Sequence, residues 1–68
     1  MTELEKLKHL LEHWIEHNDS HIQTYNEWAE KVASLGEKEL AGILEQIADE
    51  SRNLEKLFNQ AIHKINSK

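Results

Sequence analysis

The sequence contains no cysteine and no proline. Without cysteine, neither a disulfide nor a thiolate metal site is available. Without proline, and with two glycines in 68 residues, little interrupts a helix. Basic residues are in the minority: eight Lys and Arg against thirteen Asp and Glu, for a formal net charge of −5 with histidine neutral. Such a chain lacks the positive footprint that phosphate backbones require, so nucleic acid is not an expected partner. Long hydrophobic runs are missing as well. None approaches the ~18 apolar residues of a membrane span. The opening MTELEKLKHL is charged and has no apolar centre, unlike a secretory leader. A cytoplasmic address is the default expectation. Residues 1–68 make one small domain, whose limited core calls for support from a metal or a partner subunit.

What is present is Glu, Leu, Lys, Ala and Ile, a mixture that favours helix. Thr2 with Glu5 reads as a capping box at a helix start. Apolar residues then recur at Leu4, Leu7, Leu11, Trp14, Tyr25, Trp28, Val32 and Leu35, with Asn18 and His21 as polar members of the same three-four series. Gly36 suits the left-handed residue after a last helical turn. A second series follows at Leu40, Leu44, Ile47, Ser51, Leu54, Phe58, Ala61 and Ile65. These patterns predict an all-α antiparallel hairpin: a helix over about 3–34, a turn at 35–36 and a helix over about 37–66. A turn at Gly36 sets Trp28 near Leu44, Tyr25 near Ile47, Trp14 near Phe58 and His21 near Ser51. The alternative is a three-helix bundle broken near Asn18–Ser20, where Ser20 and Gln23 could begin a new helix. Further apolar residues flank both seams, among them Leu10, Ile15, Ile22, Ile43, Ala48 and Leu57. Stripes this wide predict a homodimer in which two hairpins form a four-helix bundle. Gly42, inside the second helix, hints at the approach of another backbone.

His9, His13, His17 and His21 follow one another at intervals of four. On a helix, each neighbouring pair lies one turn apart on nearly one face and can hold a divalent ion. Glu16 stands beside them as a further ligand or as a partner that fixes a tautomer. Imidazole and carboxylate without thiolate suit Zn, Ni or Co. The stripe drifts by ~40° per step, so it winds from solvent at His9 and His13 to the seam at His21. The candidate metal ligands are therefore His13, His17, His21 and Glu16. His9 and His21 lie ~18 Å apart along the axis, too far for one ion to gather all four histidines. A second helix or subunit has to complete any closed site. The plainer reading of His21 is a buried neutral histidine hydrogen-bonded to Ser51. No carboxylate pair in a cleft, nucleophile with an oxyanion site or Glu-x-x-His motif is evident, so no enzyme is expected. Two functions remain: non-catalytic binding of a divalent transition metal, or a structural and interaction module that homodimerises while its histidines are incidental.

Leu11 to His21, LEHWIEHNDSH, resembles a signature of short prokaryotic helical proteins, L-x-H-W-I-E-H-N-x-x-H followed by a Trp-Ala pair, here Trp28-Ala29. The resemblance covers about half of the chain. It implies an all-helical domain of unknown function. Histidine-rich tracts in some such proteins imply nickel, cobalt or zinc handling.

Overall fold

The computed structural model describes residues 2–67. Helix α1 runs Glu3–Ser34 and helix α2 runs Lys38–Asn66, packed side by side as an antiparallel hairpin. Thr2 begins α1 by accepting a hydrogen bond from the Glu5 backbone N–H on its Oγ1 at 3.1 Å, and Glu3 and Glu5 suit the positive end of the helix dipole. The helix continues unbroken through Asn18, Asp19 and Ser20. The three-helix alternative is thereby excluded: Thr24 Oγ1 donates to the Ser20 carbonyl across an intact turn.

The reversal is a Schellman motif. Gly36 N–H donates to the Ala33 carbonyl at 3.0 Å, and Glu37 N–H donates to the Val32 carbonyl at 3.0 Å. Gly36 makes this possible with φ of +88°, a conformation that costs an L-residue about 1–2 kcal/mol. A Gly36→Ala chain is accordingly expected to lose about that much stability, read as a lower thermal midpoint. An unchanged midpoint would show that the turn relaxes freely. Gly42 is different. A Cβ built there meets nothing within 4 Å, so within the hairpin no backbone approach requires the glycine.

Both heptad series form the contact between the helices, but only half of each does so as the sequence predicts. Leu11, Asn18, Tyr25 and Val32 face α2. Between them lie Ile15, Ile22 and Ala29, not Trp14, His21 and Trp28. On α2, Leu44, Ser51, Phe58 and Ile65 hold their expected places. Ala41, Ala48 and Glu55 replace Leu40, Ile47 and Leu54. Each helix is thus turned by about 50°, half a residue step, from the predicted seam. The cause is size. Ala29, Ala41 and Ala48 are all buried, and Ala48 is 0% exposed. Small side chains near the tight turn let the backbones approach, where Trp28 and Ile47 would hold them apart.

The rotation changes the fate of the aromatic residues and of His21. Trp14 meets Phe58 at 6.1 Å between ring centroids, yet remains 42% exposed. Trp28 is 52% exposed and carries the Lys31 ammonium 4.4 Å above its ring. His21 is exposed and stacks on Tyr25 at 6.1 Å, so the expected buried pairing with Ser51 does not form. Asn18 takes that position instead. Its Nδ2 donates to the Ser51 carbonyl at 2.7 Å and to Glu55 Oε2 at 3.1 Å.

Candidate functional site

The displaced halves of the two heptads fall on one side of the rod. A right-handed helix turns clockwise going away from a viewer and anticlockwise coming back. In an antiparallel pair, equal shifts in the chain sense therefore move both stripes toward the same face. That face carries Leu7, Leu10, Trp14 and Trp28 from α1, with Leu40, Ile43, Ile47, Leu54 and Leu57 from α2, all exposed. A groove of about 430 Å³ lies along its α2 edge, lined by Ile43, Gln46, Ile47, Glu50, Ser51 and Leu54. Taken together, the buried and the displaced residues make an apolar stripe on each helix wider than a single neighbouring helix covers.

The histidine stripe reaches the same face from outside. His13 and His17 are one turn apart, with ring centroids 4.4 Å from each other in an edge-on arrangement. A shallow notch of about 210 Å³ lies against Glu16, His17 and Ser20. In the heptad, His21 shares its column with Trp14 and Trp28, and His17 shares its column with Leu10, so both border the uncovered face. His13 lies a further step toward solvent. Among the described residues, no group of three or more His, Cys, Asp or Glu side chains is placed to hold an ion. The structure thus pairs His13 with His17 and sets Glu16 beside His17, while His21 turns to Tyr25.

One polar feature went unrecognised in the sequence. The Asp19 and Glu55 carboxyl groups meet across the hairpin. Hydrogen bonding with Asp19 holds the Glu55 pKa above the ordinary carboxylate value, helped by desolvation and by the charge of Asp19, against the opposing pull of Asn18 and Arg52. The signal was available, since Asp19 follows Asn18 and Glu55 lies one turn after Ser51. A proton held more tightly by the folded chain stabilises it below the ordinary pKa. That contribution fades as pH rises through the raised folded value. Asp19→Asn is expected to lift the thermal midpoint near neutral pH by an amount worth a few tenths of a kcal/mol, the scale of exposed charge pairs, with a smaller change in acid. Equal shifts at both pH values would rule out repulsion as the cause.

The fold and the face together define a class: a two-helix hairpin with an exposed apolar face and no helix, among the described residues, that is long and apolar enough to cross a membrane. Residues 7–65 match the family described as Domain of unknown function (DUF8180), and the chain belongs to that family. It is also similar to a protein of Archaeoglobus fulgidus described as an uncharacterized protein, with 36% identity over 62 residues that cover 91% of this chain and 98% of the relative. No solved structure matches.

Proposed function

We propose that this protein is a non-catalytic helical-hairpin module that acts by pairing with a second copy of itself into a four-helix bundle. One observation carries the reading: on both helices, alternate members of a continuous heptad core are uncovered, and they lie on the same side. A stripe with this spacing is complementary to another helix rather than to a small ligand. The need is also energetic. Among the described residues, five side chains form the buried apolar core, and chains of this size commonly draw on association to complete one. The rod measures 51 × 15 × 10 Å over its Cα atoms. Its open side then has a footprint on the order of the ~800 Å² per partner of a standard specific interface. In this reading, Trp14, His17 and His21 of the LEHWIEHNDSH signature belong to the face, and Asn18 belongs to the hairpin seam.

The test is mass in solution from micromolar to millimolar chain concentration. Twice the 8.0 kDa chain mass is expected over most of that range. A species of single-chain mass throughout would end the proposal.

A second reading has one observation in its favour. The His13 and His17 rings, 4.4 Å apart, form a two-imidazole clip that can capture Zn, Ni or Co with Glu16 and His21 near by. Two ligands from one helix leave such a site open, so in this reading metal capture by a single copy is weak.

A further inference from the structure

We propose that two copies pair with their turns at the same end, α1 of each lying across α2 of the other, so that His17 and His21 of one copy and Glu50 of the partner subunit form a divalent-cation site. The inference rests on the self-association described above.

The hairpin sets the levels along the rod. Trp14 stands opposite Phe58. Equal steps toward the turn put His21 level with Ser51 and Trp28 level with Leu44. Glu50, on the wall of the groove, is then level with His21, and the Ile43 end of the groove is level with Trp28.

Two hairpins can close face to face about a two-fold axis in two ways. With the turns at opposite ends, α1 runs along α1 and α2 along α2. Glu50 lies two residues from the middle of α2, so the two Glu50 carboxylates would then come within about 6 Å of each other along the rod axis. The Ile43 end of the groove on α2 would meet Leu57 of the partner subunit rather than an indole. With the turns at the same end, every level meets the same level across the interface. The exposed indole of Trp28 lies against the Ile43 end of the groove of the partner subunit, Trp14 against Leu57 of the partner subunit, and the two imidazoles against Glu50 of the partner subunit. Shape and charge both favour this second arrangement.

Its chemical consequence is a site that neither copy contains alone. His17 and His21 are separated by one helical turn, the spacing at which two imidazoles share one ion. Both are exposed and free to change rotamer. A carboxylate from the facing helix adds the third ligand, giving two nitrogens and one oxygen with a position left for water, a set suited to Zn²⁺ and its neighbours. Two-fold symmetry makes two such sites, one ion per chain.

Zn²⁺ is the probe for the test, titrated against a chelating indicator, with mass measured in parallel. The expected stoichiometry is one ion per chain. His17→Ala, His21→Ala and Glu50→Gln should each weaken binding at least ~10-fold, more than His13→Ala does. Because the chain has no cysteine, Glu37→Cys beside the turn takes a single spin label. The label-to-label distance in the dimer should fall well under the 51 Å length of the rod. A distance near that length overturns the arrangement. Zinc binding that ignores Glu50→Gln but is lost in His13→Ala overturns the site in favour of a single-helix clip. A single-chain mass at all concentrations removes the self-association itself, an outcome distinct from a dimer whose zinc affinity does not depend on Glu50.

Discussion

Ile47→Glu is expected to yield a chain that stays helical but no longer pairs. Ile47 is 40% exposed in the hairpin and lines the groove at the centre of the open face. A carboxylate there remains solvated in one copy and is desolvated among apolar side chains in a dimer. Central interface positions of this kind are worth about 2–4 kcal/mol, which weakens association by roughly 30- to 1000-fold. Sedimentation or light scattering reads the mass, and circular dichroism reads the helix content. The thermal midpoint should fall as well, since a partner that binds only the folded state stabilises it. A dimer of unchanged affinity would place Ile47 outside the interface.

The adjacent substitution should do the opposite. Ala48 is fully buried between α1 and α2. Ala48→Glu forces a larger, charged side chain into that contact. Desolvating the carboxylate costs several kcal/mol without a partner, and overpacking adds about 1–3 kcal/mol. A chain of this size has about 3–10 kcal/mol of total stability. Loss of the helical signal at room temperature is therefore expected, whatever the chain concentration. The pair of variants tests the rotation of the seam directly. A folded Ala48→Glu beside an unfolded Ile47→Glu would restore the seam that the sequence pattern predicts.

That rotation also marks the limit of what could be read from the residues. The capping Thr2, the unbroken heptad through Asn18–Ser20 and the glycine at 36 each have a local physical meaning. They lead to two helices and a turn at the observed places. The levels followed too, since Trp14 does meet Phe58. The facing did not. A heptad core looks the same in sequence whether a helix meets one neighbour squarely or two neighbours obliquely. Leu11 and Leu44 belong to the contact in either case. Trp14 against Ile15, His21 against Ile22 and Ile47 against Ala48 depend on how closely the backbones approach, and the pattern of apolar residues carries no such distance. The alanines at 29, 41 and 48 were the clue, because tightly packed hairpins favour small residues at the contact. For the candidate site, the stripe from His9 to His21 was legible as a sequence of turns. What stands opposite it was not, because the residue pattern of one helix does not say what faces it.

Asn18 has a consequence for folding that its two hydrogen bonds do not show by themselves. Heptads repeat, so sliding α2 past α1 by seven residues returns greasy side chains to greasy neighbours and leaves such a misaligned state nearly degenerate with the correct one. The amide of Asn18 breaks that degeneracy. Slid one way, Ala48 would stand where Glu55 stands, and slid the other way Ile62 would; neither side chain can accept the proton that Glu55 Oε2 accepts. Losing that hydrogen bond at a half-buried position costs about 0.5–1.5 kcal/mol, which favours the correct register over its seven-residue neighbours.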